Sequence, residues 1–330
     1  MRTALSLFVA LCLPVGALAA AVVAVRATEE WKLAKPALRP DGRVAKLDQL
    51  EDFGCAKCHA DVVLEWSTTA HALAWVDELY QAELKERKKV ESCWSCHVPQ
   101  PLHVKGLGAR PEARAADRHF GIACEACHLG ADGAMLGPRG APTDAHKSTR
   151  SDTMIGAGSN ALCSACHRTS VGPVIGIAKD LELPELASKG LSCVGCHMGP
   201  TRTVEVGGEQ RIVRTHELQS PRDPAFLALA FGLSARRDGK NTLIDVANHA
   251  GHRVPGLIGR EIEFRATLLD AAGKELAEAK LLLDTSSYLP AGEALSIELA
   301  GQGVKVHVVG LHHDPRLAEP VRFLDVDLTP

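Results

Sequence analysis

Aromatic side chains are scarce in this sequence: four Trp, two Tyr and seven Phe in 330 residues. A chain of this length with so few large rings lacks material for a conventional core along its whole length. Methionine is almost as rare, with only Met135, Met154 and Met198 after the first residue. Charge of one sign is also missing. The formal net charge is −3, which gives no electrostatic ground for a nucleic-acid partner. After the N-terminus no apolar run is long enough to cross a bilayer.

The N-terminus itself is different. Met1-Arg2-Thr3 is followed by an apolar run from Ala4 to Val25, with a small-residue Ala17-Leu18-Ala19 site. A basic start, an apolar stretch and such a site read as an export signal over 1–27. The run is nearly long enough to span a membrane, so a retained anchor stays open beside cleavage, and with it membrane association through the N-terminus. Leu11 precedes Cys12 where a lipoprotein would carry a small residue. A Pro- and charge-rich linker follows over 28–50. The expected location is periplasmic or extracellular.

What the sequence has in quantity is paired cysteine. Ten of its 11 cysteines fall into one repeated pattern. The copies are Cys55-Ala-Lys-Cys58-His59, Cys93-Trp-Ser-Cys96-His97, Cys124-Glu-Ala-Cys127-His128, Cys163-Ser-Ala-Cys166-His167 and Cys193-Val-Gly-Cys196-His197. Zinc sites pair two CxxC units and need no histidine directly after each; redox dithiols come singly. Five CxxC pairs, each followed by His, read instead as five attachment sites for c-type haem. In each, two thiols bond the vinyl groups of one porphyrin edge and the histidine is the proximal iron ligand. The motifs start 38, 31, 39 and 30 residues apart. So little chain per motif leaves about one helix and one loop for each, and the porphyrins must supply the buried apolar mass.

Sixth ligands are sought among the other histidines, since methionine is scarce and Met198, beside a proximal histidine, cannot reach the opposite face. His71, His146, His216 and His252 are the candidates. Gly251 before His252 allows close backbone approach, and Pro255 stiffens the exit. His249 rivals His252. For the fifth iron His119 and His103 both stay open, with His119 the preferred choice. His307, His312 and His313 read as structural or solvent-facing.

The fold expected is mainly α: a haem-cored multihaem domain over 51–233 with few short helices and long loops. A helix is expected from Thr69 to Lys88, and a short one from Asp223 to about Leu233. The segment 234–330 reads as a small antiparallel β-sandwich. Its expected strands are Thr242–Ala247, Glu261–Leu269, Lys280–Asp284, Leu295–Leu299, Lys305–Val309 and Val321–Leu328.

Several flanking stretches resemble a known family. They are Glu65-Trp66-Ser67 and Ala70-His71-Ala72 after the first motif, Gly121-Ile122-Ala123-Cys124, and Gly190-Leu191-Ser192 through Met198. Arg214-Thr215-His216 with Asp223-Pro224-Ala225-Phe226-Leu227, and Asn248 through Pro255, belong with them. The chain resembles, over about residues 50–270, the multihaem cytochromes related to the tetrahaem cytochrome that accepts electrons from hydroxylamine oxidoreductase in nitrifying bacteria. The resemblance implies haems stacked in parallel and perpendicular pairs, histidine ligands at 71, 146 and 216, and that one haem can lack a distal protein ligand. The chain departs from that family in having five motifs rather than four, and Pro255-Gly256 where relatives often have Pro-Thr-Gly.

Electron transfer is therefore the expected function, and the sequence favours a carrier over an enzyme. Its partners would be redox proteins, an electron donor and an acceptor, with other cytochromes or a membrane quinol oxidase module among the candidates. The alternative is a nitrite- or hydroxylamine-type reductase at a haem without a distal ligand, although the CxxCK motif of pentahaem nitrite reductases is missing. A third reading makes the β domain a docking module.

Overall fold

The computed structural model describes residues 54–330 apart from 142, 171–175, 207 and 258. The export signal, the linker and Cys12 lie outside the described residues. Among the described residues no helix is long and apolar enough to cross a membrane.

The segment before residue 224 is built from short helices: α1 Ala56–Ser67, α2 Glu78–Glu86, α3 Glu91–His97, α4 Leu102–Lys105, α5 Cys124–His128, α6 Asn160–His167, α7 Pro184–Ala187 and α8 Cys193–His197. Two small strand pairs interrupt them. Strand β1 (Met135–Gly137) lies parallel to β2 (Ser148–Arg150), and β3 (Thr201–Val206) forms a hairpin with β4 (Glu209–Arg214). The apolar clusters here are small. One joins Val63, Trp66, Ala72 and Ala123, and another joins Leu102, Leu162 and Ala165.

Helix α9 (Pro224–Ala228) leads into a two-sheet sandwich. Asp223 caps it by accepting from Ala225 N and Phe226 N, and Pro224 occupies the first turn, where no amide is needed. One sheet has three strands in the order β5 (Phe231–Asp238), β6 (Asn241–Asn248), β9 (Ala294–Ala300). The other has four, in the order β11 (Val321–Leu328), β10 (Lys305–His313), β7 (Glu261–Leu269), β8 (Glu275–Leu283). All these pairings are antiparallel. Alternation makes the core: Thr242, Ile244, Val246 and Asn248 of β6, and Val306 and Val308 of β10, all turn inward. Phe231, Phe264 and Phe323 meet edge-on or tilted in the middle, at 4.9–5.7 Å between ring centres. Three of the chain's few aromatics are thus concentrated where no haem motif stands.

The expectation of a mainly α chain is corrected. Strand residues outnumber α-helical ones among the described residues, because each motif needs only a turn or two of helix. The continuous helix expected from Thr69 to Lys88 is also corrected. Residues 70–76 are turns, and the helix starts at Glu78 because the Asp77 side chain accepts from Tyr80 N. The helix expected to reach Leu233 ends at Ala228, and Phe231 opens a strand instead.

Candidate haem-binding site

Each CxxCH motif sits on one turn of helix. Helical spacing puts the first cysteine, the second three residues on and the histidine four residues on along one face. Thus α1, α3, α5, α6 and α8 carry the five motifs in order. At the first, the backbone kinks at His59, with φ −119° and ψ 38°. The ten described cysteines form no disulfide.

The histidine rings are arranged in pairs. His59 and His146 are 6.5 Å apart between ring centres, His71 and His167 6.1 Å, His128 and His216 6.2 Å, and His197 and His252 6.2 Å. These separations are too wide for face-to-face stacking. An imidazole nitrogen sits about 2.0 Å from a first-row metal and the ring centre about 1 Å further out, so two imidazoles on opposite faces of one ion stand about 6 Å apart. Four motif histidines therefore each face one histidine from a distant segment at the distance one axially ligated iron requires.

Hydrogen bonds fix which nitrogen is free. Nδ1 of His97, His128, His197 and His252 lies 2.6–2.8 Å from the carbonyl oxygens of Ala74, Leu136, Gln219 and Arg253, in that order. A carbonyl only accepts, so Nδ1 carries the proton and the Nε2 lone pair is left for a metal. Burial keeps rings neutral as well. His71 is held down to about 4, first by burial and then by His167 and His197. His216 is likewise held down to about 4, by burial and then by His128. His167 and His252 are shifted the same way, chiefly by burial. A neutral imidazole at pH 7 is the form that binds iron.

The surrounding residues explain why these segments converge. Trp66 Nε1 donates to Ile122 O at 2.9 Å, and Ile122 N donates to His71 O at 2.9 Å. Gly121, at φ 55°, permits this approach: a Cβ there would lie 2.3 Å from His71 O. Buried Glu65 accepts from His216 N at 2.9 Å and pairs with Arg202 at 2.7 Å. Asn160 ties the fourth motif to the fifth, donating to Leu191 O at 2.9 Å and accepting from Cys193 N at 2.8 Å. Asp180 grips Arg253, beside His252, through the backbone amide at 2.9 Å and the guanidinium at 2.6 Å. Burial opposes the charge on Asp180, but these bonds hold its carboxyl below the usual range.

Thiols of different motifs also meet. Side chains of Cys55 and Cys124, of Cys96 and Cys166, and of Cys163 and Cys193 approach one another. Cys127 is near enough to Cys163 and Cys166 to raise both electrostatically, a smaller effect than their thiol contacts and burial.

His97 stands apart. No described histidine faces it, and Tyr80 lies flat on its ring at 3.7 Å with 8° between planes. Trp75, Trp94 and the Arg118 guanidinium crowd the same corner. The two histidines considered for this iron are elsewhere. His119 is exposed, with its ring on Phe120 at 4.1 Å. His103 has its Nε2 3.2 Å from Cys127 O. The structure thus does not bring His119 opposite any described motif histidine. Its position just before the third motif puts it on a surface turn, Arg118–Phe120. His249, exposed, packs its ring over Gly232. Tyr80, Arg202, Asp180 and Arg253 were not singled out in the sequence. Each acts through long-range contact, and only the Asp77-x-x-Tyr80 capping spacing is visible locally.

The donor set, the neutral rings and the pair distances fit c-type haem. The family "Cytochrome c554 and c-prime" matches residues 54–129, which hold the first three motifs. Over that stretch the chain is similar to the c-type cytochromes of this family. The particular fold is shared with a penta-haem cytochrome c552 from Thermochromatium tepidum, at a TM-score of 0.58 and 16% identity, over 84% of this chain and 97% of that one. A glycoside hydrolase family 2 β-glucuronidase matches 30% of this chain and 11% of that one, at 10% identity and a TM-score of 0.17, too slight a likeness to define a fold. No curated protein matches.

Proposed function

We propose that the chain is an exported electron carrier that holds five haems, one on each CxxCH motif, four of them between two histidines. The observation that carries this reading is the set of four histidine pairs 6.1–6.5 Å apart, each joining a motif to a remote segment. The assigned pairs are His59 with His146, His167 with His71, His128 with His216, and His197 with His252. Haem, when bound, supplies a reversible one-electron change between ferric and ferrous iron. The chain's residues do the rest. The cysteines anchor, and the Nδ1–carbonyl bonds orient the imidazoles and raise their basicity. The thiol contacts support neighbouring attachment of the groups on motifs one and three, two and four, and four and five.

The N-terminal export signature supports a periplasmic or extracellular site, where redox partner proteins would dock as donor and acceptor. A reduced pyridine haemochrome assay is expected to give five haems per chain, and a count of two or fewer would sink the proposal. Electron paramagnetic resonance is expected to show mainly low-spin ferric iron.

His97 favours a second reading for one site. With no facing imidazole among the described residues, its iron would be open to a small ligand such as nitrite, hydroxylamine or nitric oxide. A high-spin ferric signal of about one haem equivalent, lost on adding a small exogenous ligand, is the expected sign. A wholly low-spin spectrum would reject it.

A further inference from the structure

The sandwich reaches the one motif histidine that has no described facing imidazole. Just after β10, Asp314 is buried and gathers Arg222, Arg260 and Arg316. Asp314 Oδ1 also accepts from the backbone amide of Arg316 at 2.9 Å, which sets the direction of that side chain. Arg316 then extends a two-pronged bond to Asp77, Nε to Oδ2 at 2.9 Å and Nη2 to Oδ1 at 3.3 Å. The same Asp77 Oδ1 accepts from Tyr80 N at 2.9 Å and so starts helix α2. Tyr80 lies on the His97 ring at 3.7 Å. The other side of this turn is held too: Asp77 N donates to Leu73 O at 2.9 Å, and His97 Nδ1 donates to Ala74 O at 2.6 Å.

Contacts therefore run unbroken from Asp314 through Arg316, Asp77 and Tyr80 to His97, joining residues 239 positions apart. A fixed two-pronged pair specifies direction as well as attraction.

We propose that Arg316 is a positioning residue for the second haem: from the sandwich it fixes Asp77, and through Asp77 the Tyr80 ring against His97. This rests on the reading that His97 holds a haem. The β domain then sets the axial environment of one iron among five, rather than serving only as a docking module.

The test uses the full haem-loaded chain. Haem count and spin state of the wild type test the reading beneath; the variants test Arg316. In a spectroelectrochemical titration, Arg316→Gln is expected to keep the wild-type haem count. It should move one component, that of the His97 haem, to lower potential, because the uncompensated Asp77 carboxylate favours ferric iron. Asp77→Asn, which keeps a capping side chain, is expected to move the same component upward. Tyr80→Leu should perturb that component's electron paramagnetic resonance signal alone, and Arg316→Lys should return its potential towards wild type. A purely structural role would move both charge variants the same way. Arg316→Gln titrating as wild type, or all components moving together, overturns the proposal. If Arg316→Gln does not accumulate with haem, an unchanged titration of Asp77→Asn overturns it.

Discussion

A histidine that must bind iron at neutral pH has to be kept unprotonated, pointed and dry. His71 and His216 meet the first requirement through burial, and His252 meets the second through its bond to Arg253 O. Replacing His71 by Ala is expected to convert one low-spin haem to high spin, seen by electron paramagnetic resonance. His119→Ala and His249→Ala should leave that spectrum unchanged, since neither ring faces a motif histidine. His312 poses the same problem without an iron. It is 1% exposed in the sandwich and both ring nitrogens lack a hydrogen-bond partner. Burial and then Arg260 hold it down to about 4 from 6.5. A ring with a depressed folded value contributes stability above its unfolded value and loses it as pH falls. Sandwich stability is therefore expected to decline from about pH 6.5 towards pH 4. In His312→Gln the thermal midpoint, followed by circular dichroism, should vary less over that range.

Elements here are short, so their placement depends on single links. The Asp180–Arg253 link is one, and Arg253 also lies over Tyr288 at 4.5 Å. Removing charge-assisted bonds of this kind costs about 1.5–3 kcal/mol. Asp180→Ala is expected to lower the thermal midpoint and to raise the high-spin fraction, because His252 loses the anchor of its neighbour. An unchanged spin state would place the link outside ligand support. Local signals revealed some elements and hid others. The motif helices were legible because the chemistry requires cysteine and histidine at fixed offsets. The sandwich strands were legible where apolar and polar residues alternate, as in Glu261–Leu268. The helix start at Glu78 was missed because the apolar spacing across Leu73, Val76 and Leu79 imitates a longer helix, while the Asp77 cap outweighs it. Strand β5 was missed because the capped start at Asp223 and the apolar residues after it imitate a helix that runs on to Leu233. His119 lies on the turn Arg118–Phe120, and proximity in sequence to a motif says nothing about the face of the ring a residue approaches. His71, His146, His216 and His252, singled out by their settings, are the histidines whose rings meet a motif ring.

At the scale of the molecule, apolar mass is divided unequally. The sandwich has a continuous core from Leu227 to Phe323, whereas the motif region has only small clusters. A chain made where haem cannot be attached is expected to keep a folded sandwich and lose the rest. Limited proteolysis should then leave a stable fragment beginning near Pro224 with a β-type circular dichroism spectrum. Degradation of the whole chain would show that the sandwich needs the loaded half.

The contacts among motif thiols have a further meaning as a network. Motif one meets three, three approaches four, and four meets both two and five. With a haem on each motif, the fourth is a junction of three arms rather than a link in a line. Loss of an outlying site shortens one arm and leaves the remainder in communication. Loss of the fourth would sever the proposed circuit into isolated pieces.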